Sequence, residues 1–511
     1  MTMERKPYRS IPVMVGSLPL GGDYPVRVQS MTNTDTLDVE ASVAQCIRII
    51  EAGGELVRLT TQGIKEVESL EKIHEKLHKM GFSTPLVADI HFNPKVAEMA
   101  ASVVEKIRIN PGNYVDKRAK FEKLNLSDKE YEEELERIHE RVLPLIDICK
   151  RNNTIIRVGI NHGSLSDRIM SRYGNTPEGM VASAMEFIRI FQSENFSNLV
   201  LSMKSSNTMV MANATRQLVD AMQKEGYAFP LHWGVTEAGE GEDGRIRSSA
   251  GIGALLAEGI GDTIRVSLSE PPENEIPVAQ KILKTVAGPT KRVVDVADTL
   301  LLNDRSSYKP IVIQKKADVF INEDEEPFTG QFASIKDEEI THFPSDTTDK
   351  AIIFESSEKD REELAIKAAA TCGRYFIFRQ ATGICIEDNN IDNNVLKDIS
   401  LSILQATEAR ITRNKYISCP TCGRTKYDLQ SAVKRVKEAT KHLTGLKIAI
   451  MGCVVNGPGE MAGADYGYVG AGEGKIHIYK GITPVLKNVP QEDAVEKLLE
   501  VINANNKHTS C

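Results

Sequence analysis

The sequence lacks the long apolar runs and the basic excess that are typical of membrane proteins and nucleic-acid-binding proteins. No stretch approaches the roughly 18 uninterrupted apolar residues of a membrane span, and no apolar signal segment follows Met1. The chain has 63 Lys and Arg against 71 Asp and Glu, a formal net charge of −8, whereas nucleic-acid-binding domains usually carry a basic excess. We therefore expect a cytoplasmic protein that binds neither membranes nor nucleic acid.

Cysteine is also scarce. Eight cysteines in 511 residues are too few for a disulfide scaffold. Four of them lie in apolar patterns without metal-like spacing, where a buried free thiol is the ordinary state: Cys46, Cys149, Cys372 and Cys385. Only Cys419, Cys422 and Cys453 have a suggestive arrangement.

Short β-rich runs alternate with amphipathic helical stretches through the first 290 residues, which predicts parallel strands joined by helices. There are eight such runs: Pro25 to Asn33, Glu55 to Thr61, Pro85 to Phe92, Lys106 to Asn113, Ile155 to Gly163, Leu199 to Ser206, Leu231 to Gly239 and Thr263 to Glu270. Before them, Ile11 to Val15 and a glycine-rich turn predict a hairpin that caps the barrel floor. We predict an α/β fold in which residues 1–290 form a (β/α)₈ TIM barrel, with its site at the carboxyl ends of the strands.

Five of these strands carry a cation near that end: Arg58, Arg108, Arg157, Lys204 and Arg265. Guanidinium and ammonium groups that converge on one cavity suit a ligand rich in phosphate oxygens. Asn161, Ser267 and loop N–H groups can complete the contacts. The alternative is that each arginine only pairs with a barrel carboxylate such as Asp89 or Glu237.

Glu237 follows the seventh strand and is a candidate proton donor or base beside the cations. A counter-ion to one of the arginines is the other interpretation. Because Glu237 belongs to the barrel, we expect it to lie outside the ligand shell of the cysteine site in the free protein. Asp89 and His91 are weaker candidates of the same kind, two residues apart on one face of the third strand.

The three suggestive cysteines form a C-x₂-C pair followed by one cysteine after an apolar strand. A zinc ribbon would present a second close pair of ligands, which is missing here. Glu460 is the best-placed fourth ligand, with His477, Asp465 and Cys511 behind it. Three thiolates and one oxygen ligand favour a [4Fe–4S] cluster over structural zinc, although the C-x₂-C spacing occurs in both classes.

Residues 291–410 separate the barrel from this site and predict a small inserted α/β domain. The expected elements are strands over Pro310 to Gln314, Ala351 to Glu355 and Arg374 to Arg379, and a helix over Lys359 to Ala370. Residues 411–511 are then a C-terminal α/β iron–sulfur domain.

Several motifs together resemble one known family. They are Val26-Arg-Val-Gln-Ser-Met-Thr-Asn, Gly234-Val-Thr-Glu-Ala-Gly, Gly259-Ile-Gly-Asp-Thr-Ile-Arg-Val-Ser, Ser418-Cys-Pro-Thr-Cys-Gly-Arg and Gly452-Cys-Val-Val-Asn-Gly-Pro-Gly-Glu. They are similar to those of 4-hydroxy-3-methylbut-2-enyl diphosphate synthases, in the form with an inserted middle domain. Such enzymes reductively open 2-C-methyl-D-erythritol 2,4-cyclodiphosphate in the methylerythritol phosphate route to isoprenoids. They take two electrons, one at a time, from ferredoxin or flavodoxin.

The resemblance implies a role for each candidate residue. It makes Cys419, Cys422, Cys453 and Glu460 the ligands of a [4Fe–4S] cluster, and Glu237 the barrel acid. It assigns the cyclic diphosphate to Arg58, Arg108, Arg157, Asn161, Lys204, Arg265 and Ser267.

The inserted domain is a departure from the compact form of the family, in which the cluster domain of one subunit covers the barrel of its partner. We expect a homodimer, and the insert leaves open whether that exchange is kept. Two other functions fit parts of the pattern: a zinc-ribbon binding module fused to a barrel, and a phosphosugar aldolase or isomerase with a structural metal and a Schiff-base Lys204.

Overall fold

The computed structural model describes residues 8–116, 122–286, 308–317, 319–337, 349–419, 427–454 and 463–506, and the single residues 347, 425, 459 and 461. Within these ranges, the chain forms a short hairpin, an eight-stranded sheet and two five-stranded sheets. The hairpin strands are β1 (Val13–Val15) and β2 (Leu18–Leu20).

The eight-stranded sheet is the predicted TIM barrel. Its strands are β3 (Arg27–Met31), β4 (Leu56–Thr61), β5 (Leu86–Ile90), β6 (Lys106–Ile109), β7 (Ile155–Asn161), β8 (Leu199–Lys204), β9 (His232–Trp233) and β10 (Thr263–Ile264). They run parallel in the order β8-β7-β6-β5-β4-β3-β10-β9, and a parallel bridge between Leu201 and Leu231 closes the ring. All eight predicted strands are therefore present, although β9 and β10 are shorter than their apolar runs.

Ten helices accompany the barrel strands in the described residues. They are α1 (Val39–Glu51), α2 (Ile64–Lys79), α3 (Pro94–Ala100), α4 (Pro111–Tyr114), α5 (Asp128–Asn152), α6 (Asp167–Tyr173), α7 (Pro177–Ser193), α8 (Thr208–Lys224), α9 (Gly241–Leu256) and α10 (Glu275–Val286). Side-chain caps set several starts: the Asp38 carboxylate accepts from Ala41 N at 3.0 Å, and Thr176 Oγ1 accepts from Gly179 N at 3.2 Å.

The β1–β2 hairpin closes the amino-terminal end of the barrel, as predicted. Its apolar side chains Val13, Val15 and Leu20 form one buried cluster with residues at the starts of the barrel strands, among them Leu56 and Ile155. Because the barrel interior is filled with apolar side chains at this end, we expect the substrate site at the other end.

The second sheet lies in the insert and consists of β11 (Ile311–Lys316), β12 (Val319–Ile321), β13 (Phe332–Lys336), β14 (Ala351–Ser356) and β15 (Gly383–Asp388). Helices α11 (Arg361–Ile377) and α12 (Asn393–Ala406) flank it. The predicted strand over Arg374 to Arg379 is wrong, because Arg374 to Ile377 continue α11.

Close packing against the barrel explains why α11 runs on through a β-prone segment. A Cβ on Gly253 of α9 would lie 2.4 Å from the Ala370 carbonyl oxygen, and one on Gly373 would lie 2.7 Å from the Ala250 Cβ. The two helices therefore approach backbone to backbone, and this contact overrides the local β propensity of the aromatic residues that follow Gly373.

The third sheet follows in the order β16 (Lys415–Ser418), β17 (Lys447–Met451), β18 (Tyr466–Gly472), β19 (Lys475–Lys480) and β20 (Thr483–Pro490), with β16, β17 and β18 parallel. Helices α13 (Leu429–Thr440) and α14 (Ala494–Asn506) pack on it. In the described part of the chain, no helix is both long and apolar enough to cross a membrane.

Candidate active site

The five cations predicted at the barrel mouth all lie inside the barrel and close together. Each of these residues is at most 8% exposed. Arg108 and Arg157 are direct partners in the register of β6 and β7. The charge of Lys204 interacts with four guanidinium groups, those of Arg58, Arg108, Arg157 and Arg265. The structure therefore brings together the whole set named from the sequence.

Arg108 and Arg265 are among the cations that are paired with carboxylates. Arg108 Nη1 lies 3.3 Å from Asp89 Oδ1, and Arg265 donates to the two oxygens of Glu275 at 3.0 and 3.1 Å. Burial alone would raise the pKa of Asp89, but the guanidinium groups of Arg58 and Arg108 outweigh it and hold the pKa well below its usual value. The interpretation that the arginines pair with carboxylates is therefore correct for Arg108 and Arg265. The partner of Arg265 is Glu275, which was not among the residues predicted from the sequence.

Arg157 keeps unused hydrogen-bonding capacity. Its Nη1 donates to Ser202 Oγ at 2.8 Å, whereas Nε and Nη2 are buried without a partner among the described residues. Burial and then the charges of Arg58 and Arg108 lower the pKa of Arg157, and burial and the surrounding guanidinium groups lower that of Lys204. Buried cations that repel one another are costly in the free protein and are stabilised by an anion.

The sequence analysis missed two further basic groups, Lys106 and His232. Lys106 Nζ and both ring nitrogens of His232 are buried without a hydrogen-bond partner in the described ranges. Burial and then Arg157 and Arg58 lower the pKa of Lys106 well below its usual value, and burial followed by Lys204 and Arg157 does the same for His232. Lys106 could have been found, because it is two residues from Arg108 on one strand and so shares its face.

The two neutral residues predicted to contact the ligand, Asn161 and Ser267, are both buried. Asn161 Oδ1 accepts from Arg108 Nη2 at 3.4 Å, and Ser267 is 2% exposed. His91 Nε2 lies 3.0 Å from Arg108 Nη1 and 3.5 Å from Asp89 Oδ2. Arg108 is therefore held by a network rather than by one partner.

Glu237 lies in an unusual backbone conformation at the edge of the barrel. Its φ angle is +51°, a left-handed value that non-glycine residues adopt rarely and that is frequent at functional sites.

Arg247 Nη1 donates to the carbonyl oxygens of Ala238 at 3.1 Å and Tyr416 at 3.0 Å. This buried arginine therefore joins the loop that follows β9 to strand β16.

Cys419 and Cys453 come together at the ends of two parallel strands. Cys419 follows β16 and its N–H donates to the Ile450 carbonyl at 3.1 Å, while Cys453 follows β17 by two residues. Burial, followed by the charges of Tyr468, Cys419 and Cys453, raises the pKa of Tyr427, so both sulfurs lie near one phenol. Both cysteines are partly exposed, whereas burial raises the pKa of thiols such as Cys46 and Cys149 to about 12.

The cysteine site sits on the barrel of its own chain. Ala238 pairs with Ser418 in a parallel bridge, and Ser269 Oγ donates to the Cys419 carbonyl at 2.9 Å. Glu237 therefore precedes a residue, Ala238, that pairs with the residue before Cys419, and whether Glu237 lies outside the ligand shell stays a prediction.

Gly459 also contacts the barrel mouth. A Cβ on Gly459 would lie 1.5 Å from the carbonyl oxygen of Gly163, two residues after β7. Only glycine fits there, which gives a physical reason for the glycine that precedes Glu460 in the C-terminal motif.

Three of the predicted or reserve ligands, Cys422, Glu460 and Cys511, lie outside the described residues. The other reserve ligands are already engaged with backbone groups. His477 Nδ1 accepts from Asn488 N at 3.0 Å, and Asp465 Oδ2 accepts from Lys447 N at 2.7 Å. Cys419 and Cys453, which both lie near the Tyr427 phenol, are soft donors of the kind that an iron–sulfur cluster uses.

Relatives with curated names cover nearly the whole chain. The protein of Phocaeicola vulgatus is 45% identical over 97% of this chain and 98% of its own length, and that of Parabacteroides distasonis is 44% identical over 97% and 98%. Both are named 4-hydroxy-3-methylbut-2-en-1-yl diphosphate synthase (flavodoxin). The first alignment spans 600 positions whereas this chain has 511 residues, so the relative has residues that this chain lacks.

Among solved structures, the chain is similar to N-acetylneuraminic acid synthetase from Leptospira borgpetersenii, with a TM-score of 0.34 and 13% identity over 59% of this chain and 95% of that one. A score of this size carries no argument about function. The GcpE TIM-barrel domain family matches residues 10–280 and the GcpE protein C-terminal domain matches residues 415–504. The barrel domain alone matches more than half of the chain, which confirms the resemblance in the motifs. The chain therefore belongs to the GcpE family.

Proposed function

We propose that this protein is a 4-hydroxy-3-methylbut-2-enyl diphosphate synthase. It would convert 2-C-methyl-D-erythritol 2,4-cyclodiphosphate into (E)-4-hydroxy-3-methylbut-2-enyl diphosphate by reductive ring opening and loss of a hydroxyl as water. One observation carries the proposal. Within one chain, a barrel that contains buried cations contacts the strand that leads to a pair of partly exposed cysteines. Relatives of over 40% identity bear this name.

The barrel residues would bind and orient the cyclic diphosphate. Arg157 offers two buried donors without partners among the described residues, and charge-assisted hydrogen bonds to phosphate are the strongest kind available to it. Arg108 is fixed by Asp89, His91 and Asn161, so little side-chain entropy would be lost when it binds phosphate. The remaining contacts are assigned to Arg58, Lys204, Arg265 and Ser267.

Cys419, Cys422, Cys453 and Glu460 would hold a [4Fe–4S] cluster. Bound there, the cluster would supply the two electrons singly. The close contact of Gly459 with Gly163 would help to exclude water where the cysteine site meets the barrel.

Glu237 would hold a proton for the leaving oxygen. Its carboxyl group is buried, with the residue 8% exposed, and the next residue pairs with the strand that leads to Cys419. A buried acid at this junction can reach the boundary between the phosphate-binding barrel and the cysteine site. Glu237 would therefore act where the hydroxyl is lost, and not as the sole counter-ion of an arginine.

Flavodoxin is the proposed electron donor, because the relatives carry it in their names; ferredoxin is the alternative. The cysteine site contacts the barrel of the same chain through Ala238 and Ser418, so a complete site does not require a partner subunit. The insert accounts for this geometry, since α11 packs directly on α9 and β16 begins shortly after α12. A homodimer would then be an association of two complete sites.

Two other functions make different predictions. The aldolase alternative is favoured by one observation, the lowered pKa of Lys204, because a neutral amine is the nucleophile in Schiff-base chemistry. The zinc-module alternative requires no substrate in the barrel. Neither explains a chain that matches the GcpE domains at both ends.

Anaerobic purification followed by metal analysis tests the proposal against both. We expect a brown protein with about four irons per chain that consumes the cyclodiphosphate when a reductant is present. Stoichiometric zinc with colourless protein would favour the binding module. A borohydride-trapped adduct on Lys204, with no reductive activity, would favour the aldolase.

A further inference from the structure

A group of metal-ligating side chains lies at the opposite end of the barrel from the cysteine site. His74 and His78 are one turn apart on α2, with ring centroids separated by 4.3 Å. Glu105, the residue before β6, faces them, and its Oε1 lies 2.8 Å from His74 Nε2. One potential ligand atom from each residue lies within 4.8 Å of the others.

Helix and strand geometry hold the three groups in place. Residues four apart on a helix project from the same face, so both imidazoles point toward Glu105. The second carboxylate oxygen of Glu105 accepts from Leu86 N at 2.9 Å, which orients the first oxygen toward His74. A Cβ on Gly16 in the β1–β2 turn would lie 2.9 Å from Glu105 Cγ, so the hairpin limits the room of this side chain.

The donor set selects a class of metal. Two imidazole nitrogens and one carboxylate oxygen suit Zn²⁺, with the fourth tetrahedral position left to water. Tetrahedral zinc places its ligand atoms about 3.4 Å apart, which small side-chain rotations reach from the observed separations. Mg²⁺ and Ca²⁺ prefer sites made of oxygen atoms and fit poorly here.

Neighbouring cations do not oppose a bound metal strongly. Lys76 is paired with Glu40, and Lys79 Nζ lies 3.0 Å from Glu75 Oε2. His74 and Glu105 are partly buried, with side-chain exposures of 22% and 20%, while His78 is exposed. A metal ion could therefore enter from solvent and lose part of its hydration shell on binding.

We propose that His74, His78 and Glu105 form a binding site for Zn²⁺ at the amino-terminal end of the barrel, separate from the cysteine site. A metal here joins α2 to the segment that enters β6, two elements that the sequence places more than 25 residues apart. It therefore stabilises the barrel wall by cross-linking these two elements, and it takes no part in the reductive chemistry. Because it uses none of the cysteines, it is independent of the proposed function.

The test uses the full chain with its cysteine site loaded with iron and sulfur, so that zinc does not enter there. Anaerobic equilibrium dialysis against Zn²⁺, followed by metal analysis, should show one zinc per chain in addition to iron. His78→Ala should weaken zinc binding at least about tenfold, in the range seen when a metal site loses a supporting group. His78 is exposed, so this variant should fold normally.

The chain contains a matched control in His139 and Glu194, whose Nε2 and Oε1 atoms are also 2.8 Å apart. Among the described residues, this pair is not part of a three-ligand group. His139→Ala should therefore leave zinc binding unchanged. An anomalous difference map at the zinc edge should place the ion between His74, His78 and Glu105. Equal zinc content in wild type and His78→Ala, or equal losses in His78→Ala and His139→Ala, would overturn the proposal.

Discussion

Replacing Arg157 with methionine should strengthen the fold and weaken substrate binding in the same variant. Arg157 is 1% exposed, and two of its nitrogens have no hydrogen-bond partner among the described residues. The charges of Arg58 and Arg108 act against its ionised form. Methionine fills a similar volume without a charge. Arg157→Met therefore removes the charge repulsion between Arg157 and its neighbouring arginines in the ligand-free protein.

The size of each effect follows from the contacts. Exchange of a buried ionic group for an apolar one of similar volume is neutral or stabilises by about 1–4 kcal/mol, less about 1 kcal/mol for the lost hydrogen bond to Ser202. Unfolding free energy should therefore change by roughly −1 to +3 kcal/mol, a range that is mostly a gain. Loss of a charge-assisted contact to phosphate costs about 1.5–3 kcal/mol, which weakens substrate affinity about 10- to 150-fold.

Arg168→Met is the matched control, because Arg168 is also buried but its charge is paired with a carboxylate. It donates to both oxygens of Glu186 at 2.9 and 2.8 Å. Removal of this partner leaves a buried carboxylate, which costs about 3–5 kcal/mol, and should not change substrate affinity. The sign of the stability change should therefore differ between the two variants.

Anaerobic thermal unfolding and calorimetric titration with cyclodiphosphate, without reductant, measure both quantities. At about 2–4 °C per kcal/mol for a domain of this size, Arg157→Met should raise Tm by up to several degrees, and Arg168→Met should lower it by more. A clear fall in Tm for Arg157→Met, or an unchanged dissociation constant, would refute the anion-binding role of the barrel interior.

Four further predictions concern single residues. Glu237→Gln should slow steady-state turnover about 10²–10⁴-fold if Glu237 is the acid, and wild-type turnover in this variant would reject that role. Glu460→Gln should keep a cysteine-bound iron centre with an altered electron paramagnetic resonance signal. A wild-type signal in Glu460→Gln would reject Glu460 as a cluster ligand. Lys106 has a pKa far below its usual value when folded, so between that pKa and about 10.4 the unfolded chain holds more protons and stability rises with pH. Lys106→Met should remove this rise, which is at most about 1.4 kcal/mol per pH unit; parallel Tm curves of the two proteins from pH 7 to 9.5 would contradict it. Gly459→Ala should abolish activity while Tm stays near that of wild type, because a Cβ would strike the Gly163 carbonyl oxygen; an active Gly459→Ala enzyme would show that the loop contact is not needed.

The barrel and its cations could be predicted because both depend on local pattern. Each strand is an apolar run that changes character at its end, and the parallel arrangement then brings Arg58, Arg108, Arg157, Lys204 and Arg265 to one place. Lys106 was missed because it lies at the start of β6, a position that suggests solvent and not a buried layer.

Features that depend on distant contacts could not be predicted. The strand expected at Arg374 is helical because Gly373 packs on Ala250 of the barrel. The bridge between Ala238 and Ser418 joins residues that the whole insert separates, and no periodicity in the sequence reports such a contact. The partnership of Arg265 with Glu275 is closer in sequence, yet it depends on where α10 begins.

The most direct test is to measure product formation by the iron-loaded protein and by Cys453→Ser. Each would be incubated anaerobically with 2-C-methyl-D-erythritol 2,4-cyclodiphosphate and reduced flavodoxin, and ³¹P nuclear magnetic resonance would follow the cyclic and linear diphosphates. We predict that the wild-type chain converts the substrate to (E)-4-hydroxy-3-methylbut-2-enyl diphosphate and that Cys453→Ser, with a folded barrel, forms none. Failure of the iron-loaded wild type to open the ring, or equal conversion by both proteins, would contradict the assignment of this site.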